Sequence, residues 1–206
     1  MSSIFVHFES DPMQSHIRPG RVAQLPPRER IIDAAHELFF EQGIARVTVD
    51  AIAELAGSTK MTLYRHFDTK EALVQEWLRL LTENYSAVLD DLAIQWPREP
   101  VEQLMGFAHF IAEDTARVGY RGCPFTNSLA EIPDPQSPAR LLIETHKKRQ
   151  FHRLVDLCRE AGLDDPEWLA QELTMLLEGA QVVAQNKGIS NVGEHLMRAI
   201  SRRLAS

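Results

Sequence analysis

The stretch Thr48–Glu71, TVDAIAELAGSTKMTLYRHFDTKE, constrains the fold more tightly than any other part of the chain. Val49, Ile52, Ala53 and Ala56 recur at i, i+3, i+4 and i+7, making one apolar face of a short helix. Gly57 follows where a sharply turning chain needs a residue tolerant of positive φ. A second helix then buries little beyond Leu63 and Phe67, which leaves Thr59, Lys60, Met61, Thr62, Tyr64 and Arg65 facing outward. Asp68, with Glu71 three residues later, reads as a capping box that opens a third helix. One helix that braces and a next one that shows donors and a cation make a helix-turn-helix, the arrangement that enters a major groove.

The flanks extend this unit. A helix is expected from about Arg28 to Gln42, with Pro27 at its entry and Gly43 past its end. Its residues Ile31, Ile32, Ala35, Leu38 and Phe39 face inward. Thr48 caps the next helix, and its hydroxyl also suits a phosphate. The helix opened near Asp68 is expected to run to Gln95, where Trp96-Pro97 ends it. At 1.5 Å per residue it spans roughly 40 Å, so movement at its far end reaches the outward-facing helix. Further helices are expected near 100–118, 124–131, 138–161, 166–187 and 193–204, separated by glycine and proline breaks. No segment alternates as a strand does, so the fold class is all-α. Residues 1–26, broken by Pro12, Pro19, Gly20 and Pro26, read as a flexible arm whose Arg18 and Arg21 are either solvated or reach a minor groove.

Composition narrows the function classes. In 206 residues, 44% hydrophobic and 25% charged, no apolar run approaches the 18 residues of a membrane span. The N-terminus lacks the basic start of a signal peptide, and Cys123 and Cys158 are too few for a disulfide scaffold, so the cytoplasm is expected. The net charge of −7 argues against indiscriminate nucleic-acid binding. Residues 1–70 hold 8 Lys/Arg against 9 Asp/Glu, however, and residues 71–206 hold 14 against 20, so the acidity lies mainly in the second part. Local patches set phosphate contacts, and these the first part can supply.

Phe39, Gly43, Thr48, Val49, Ile52, Ala53, Ala56, Gly57, Lys60, Thr62, Leu63, Tyr64, His66, Phe67, Lys70, Glu71 and Leu73 together resemble the DNA-binding domain of the tetracycline-repressor (TetR) family of bacterial regulators. The run Thr62-Leu63-Tyr64, then His66-Phe67 and Lys70-Glu71, carries most of the likeness. Met61 departs from it, standing where many members carry Gly; its thioether limits backbone approach to DNA but can touch a thymine methyl. The resemblance implies a three-helix DNA-binding domain over residues 27–72 and a helical ligand-binding and dimerisation domain over 73–206. It implies DNA contacts from Thr48, Thr59, Lys60, Met61, Thr62, Tyr64 and Lys70, with Lys60, Met61 and Thr62 suited to base edges and Thr48, Tyr64 and Lys70 to phosphates. The segment Arg121–Asn127, with Ala130-Glu131, resembles a loop-and-helix signature in a subset of TetR-like second domains.

One recognition helix reads few base pairs, so specificity calls for two, a helical turn or more apart, and hence for a homodimer on a double-stranded operator. Leu169, Leu173, Leu176, Ala180 and Val183 form a seam spaced four, three, four and three, and Leu196 and Ile200 a second stripe. They read as half of a four-helix bundle completed by a partner, although core packing within one chain makes the same pattern. Among Trp77, Tyr85, Phe107, Phe110, Phe125, Phe151 and Met175, the resemblance implies a cavity for a small-molecule effector. There is no HExxH, no CxxC pair and no Gly-rich phosphate loop, so no metal, cofactor or catalytic site is expected. Cys123 reads as an ordinary thiol, and the run His146–Arg149 as a solvated face. The rival reading is a ligand-binding protein or enzyme that keeps this scaffold without binding DNA.

Overall fold

The computed structural model describes residues 25–117 and 119–205. All but the last two residues of the arm expected over 1–26, including Arg18 and Arg21, lie outside them. The described chain is helical, with no strand: α1 (Pro27–Gln42), α2 (Val49–Leu55), α3 (Lys60–His66), α4 (Lys70–Gln95), α5 (Pro100–Thr115), α6 (Pro124–Glu131), α7 (Pro138–Glu160), α8 (Pro166–Asn186) and α9 (Val192–Leu204). Proline opens α1, α5, α6, α7 and α8, where its missing N–H has no partner to lose.

Threonines open the other early helices. The hydroxyls of Thr48, Thr59 and Thr69 accept the N–H of Ala51, Thr62 and Ala72 at 3.1, 3.1 and 3.0 Å. Thr69 corrects the capping box expected at Asp68. Its extended backbone (φ −140°, ψ 166°) sets its own oxygen over Ala72 and leaves Asp68 one residue outside the helix. Helix α5 also stops earlier than expected, because Ala116 and Arg117 donate three residues back, to Glu113 and Asp114, and tighten the last turn. Helix α3 has only seven residues, so its cap matters: Thr59→Ala is expected to cost about 1 kcal/mol in denaturant unfolding.

Two hydrophobic cores follow. The first joins α1, α2, α3 and the start of α4 through Ile31, Ile32, Phe39, Ile52, Leu63, Phe67 and Leu73. Trp77 is its largest member; its ring lies 5.2 Å from that of Phe39, and its Nε1 donates to His36 Nδ1 at 3.1 Å. Burial holds the His36 pKa down at about 4, so near neutral pH the ring is an uncharged acceptor. This core continues along α4 to Leu81, so the boundary drawn after residue 72 runs through it. The second core gathers Leu89 of α4 with Phe107, Ile111, Leu154, Cys158, Leu173, Leu196 and Ile200. Helix α4 therefore belongs to both.

The expected dimer seam lies largely within the chain's own core. Leu169, Leu173, Ala180, Leu196 and Ile200 are buried in this second core, and Leu176 packs against it. The four-three spacing serves α5, α7 and α9 of the same chain, which cover the seam except at Leu176 and Val183, both partly exposed. Helix α8 instead turns Trp168, Met175 and Val182, seven residues apart, to the outside. No helix among the described residues is long and apolar enough to cross a membrane.

Candidate nucleic-acid interface

Leu63 is fully buried beneath α3 and Phe67 anchors its end under the Arg28 guanidinium, 5.3 Å from the ring centre. At 100° per residue, Met61 and Arg65 then lie opposite Leu63, with Tyr64 beside them. The outcome matches that geometry: Met61 is 77% exposed, and Lys60, Tyr64 and Arg65 are exposed too. Helical phase marks Arg65 as a candidate that pattern matching left out.

The outward face is held firmly from behind. Gly57 takes φ 54° at the α2–α3 turn, and Arg30 Nη1 donates to the carbonyls of Ala56 and Gly57 at 2.9 Å each. Arg30 stands 26 residues from Ala56, so no local pattern announces this brace. Glu76 of α4 pairs with both Arg28 of α1 and Arg79, which locks α1 onto α4 and holds its carboxyl below the usual range, chiefly through Arg79.

Not every expected contact residue is equally available. Lys60 pairs with Asp50 at 3.1 Å, but both are exposed and such a pair contributes only about 0–1 kcal/mol, so a phosphate can replace the carboxylate. Thr59 and Thr62 share a 3.0 Å hydroxyl contact within the cap. The Thr48 hydroxyl accepts from Ala51 and keeps its own proton to donate. Lys70, expected at a phosphate, donates to the Ile44 carbonyl and is partly buried. Its ammonium braces the loop that enters α2.

Residues 31–77, which contain α2 and α3, match the family model described as bacterial regulatory proteins, tetR family. The regulator YjdC of Escherichia coli is 26% identical over 152 residues, covering 74% of this chain and 80% of its own. The repressor KstR2 of Rhodococcus jostii is 43% identical over 65 residues, 32% of this chain and 28% of its own. The crystal structure of SCO4454, a TetR-family regulator from Streptomyces coelicolor, superposes with a TM-score of 0.81 at 27% identity over 87% of this chain and 94% of that one. The DNA-binding unit of this chain matches the TetR family, and the chain as a whole resembles that family's regulators. It is a DNA-binding transcriptional regulator.

In this regulator the large side chains of the second part separate into groups. Tyr85 meets Phe110 at 5.6 Å and Phe125 at 5.1 Å, both edge-on. Phe107 stacks beside Phe110 at 6.3 Å, and Phe151 packs against the second core. Of the expected lining, Trp77 belongs to the α1–α4 core but also borders a cavity beside Arg121, Pro124 and Asn127, and Met175 stands 64% exposed on α8. A residue read as solvated joins the rings instead. His146 is 3% exposed, 4.7 Å from Phe125 and 6.4 Å from Tyr85 between ring centres. Only Lys148 and Arg149 of the basic run face water. Lys147 lies over the Phe125 ring at 5.4 Å, pairs with Glu178 and sits 3.8 Å from Cys123 Sγ.

Helix α6 links this cluster to the DNA-reading unit of the TetR fold. Phe125 stands in its first turn; at its other end, Glu131 accepts the Ala45 N–H at 2.7 Å. Gly43 lies so near that a Cβ there would meet Glu131 Oε1 at 2.6 Å, and its φ of 84° also disfavours a side chain. Eight residues, about 12 Å of helix, thus connect the aromatic cluster with the loop before α2.

Proposed function

We propose that the protein is a homodimeric repressor that occupies an inverted-repeat operator in the cytoplasm and leaves it when a small molecule binds. Residues 27–72 read the DNA, and the remainder through residue 206 pairs subunits and takes the effector. The observation that carries this reading is the braced α3, with Met61, Tyr64 and Arg65 turned outward and no core role to explain them. Met61 and Thr62 suit base edges; Lys60, Tyr64, Arg65 and the Thr48 hydroxyl suit the flanking phosphates. Kinship with the repressor KstR2 supports repression. The rival, a binding protein or enzyme that has left DNA, gives no reason for this outward face.

For the dimer, the exposed apolar stripe Trp168–Met175–Val182 on α8 replaces the buried seam. A large apolar residue exposed every second turn is costly on a monomer and ordinary at an isologous interface. Effector release requires only that the small molecule favour a spacing of the two α3 helices that no longer matches successive major grooves. Met175→Arg is expected to raise the dimer dissociation constant by about 100-fold or more, since an unpaired charge at an interface costs several kcal/mol. Sedimentation should show monomers, with operator affinity falling in parallel. A Met175→Arg protein that stays dimeric and binds DNA normally would move the interface elsewhere.

A further inference from the structure

His146 is the most unusual buried group in the molecule. Both of its ring nitrogens lie out of solvent without a hydrogen-bond partner among the described residues. Leaving a buried polar atom unmatched is destabilising, and native chains do so mainly where function needs it. Its surroundings are aromatic: Phe125 is tilted across the ring, Tyr85 stands edge-on, and Phe110 lies behind Tyr85.

We propose that His146 is the recognition group of the effector site, and that the site takes a small, neutral aromatic molecule bearing a hydroxyl group. This rests on the effector-released reading above and names the ligand class. Burial, reinforced by Lys147 and Arg149, holds the His146 pKa down at about 4, so the ring is neutral near pH 7. A neutral imidazole offers one donor and one acceptor, and a hydroxyl, which both donates and accepts, matches either. Burial likewise keeps Tyr85 protonated well above its ordinary range, so it too presents a donor. The nearby charges are already matched, Lys147 by Glu178 and Asp114 by Arg117, so a charged ligand would bring an unpaired charge into the site. Flat aromatic walls favour a flat aromatic guest. The guest would press on Phe125 at one end of α6, while Glu131 at the other end holds the loop before α2.

The test uses the full chain with 2-naphthol, naphthalene and 2-naphthoate as probes, followed by calorimetry and thermal unfolding. The expected result is that 2-naphthol binds more tightly than the other two. His146→Leu should weaken that binding by about tenfold or more, the worth of one buried hydrogen bond. His146→Gln, which keeps a donor and an acceptor, should retain part of it. Without probe, His146→Leu should melt at a higher temperature than wild type, because the unmatched nitrogens are gone; a histidine with a purely structural role would give the opposite. Equal 2-naphthol affinity in wild type and His146→Leu, preference for naphthoate, or no binding of any probe to folded protein would overturn the proposal. Operator binding on the same samples separates the two readings. DNA that other compounds release equally from wild type and His146→Leu leaves the repressor standing without this site, whereas a folded dimer that binds no DNA removes the repressor itself.

Discussion

Replacing Lys60 and Tyr64 together with alanine is expected to weaken operator binding by about 2–4 kcal/mol, roughly 30- to 1000-fold. Both side chains are exposed on α3, and Lys60 contributes one of the cations nearest the outward face. Losing one phosphate-neutralising lysine should also lower the slope of log affinity against log salt by about 1. The fold should be unaffected, since substitutions at exposed positions usually stay within about 0.5 kcal/mol and the Asp50–Lys60 pair is itself exposed. A fluorescence-anisotropy titration at several salt concentrations, set beside urea unfolding, reads both quantities. Large losses in both would mean that these residues support α3 rather than touch DNA.

Trp77→Ala is expected to have the largest effect on stability, about 3–5 kcal/mol. The indole is 1% exposed, fills the space between α1 and α4 and donates to His36. Alanine leaves both a cavity and an acceptor without its donor. Against a total stability of about 5–15 kcal/mol, such a loss partly unfolds the DNA-reading unit at growth temperature. DNA binding should then fail by unfolding, with the urea midpoint falling steeply. Trp77→Phe, which keeps most of the packing, should fall between. If Trp77 served chiefly an effector, as the resemblance implied, alanine would change ligand affinity and leave the midpoint nearly in place.

These three residues show what the chain discloses by itself and what it does not. Around α3 nearly everything was legible, because the signals are local. Leu63 and Phe67 set the buried phase, Gly57 permits the turn, and Thr48 caps within three residues. Only details moved, such as the cap passing from Asp68 to Thr69 and Lys70 turning to the Ile44 carbonyl. The second part was less legible for a physical reason. Four-three spacing along α8 looks the same whether the neighbouring helix belongs to the same chain or to a partner, and Leu169 to Ala180 proved to face their own chain. His146 was hidden by its neighbours: three cations follow it, and only the packing of α4, α6 and α7 shows that it is buried among aromatic rings. Arg30, reaching across 26 residues to the α2–α3 turn, has no periodicity to betray it.

The most direct measurement is selection of DNA from a random-sequence library by the purified protein, run beside the Lys60/Tyr64 double alanine variant. The expected result is enrichment of an inverted repeat with half-site centres about one helical turn or more apart, lost in the variant. Enrichment of a single half-site would contradict the dimer. A folded wild-type protein that enriches nothing at low or physiological salt would contradict the reading of α3 as a recognition helix.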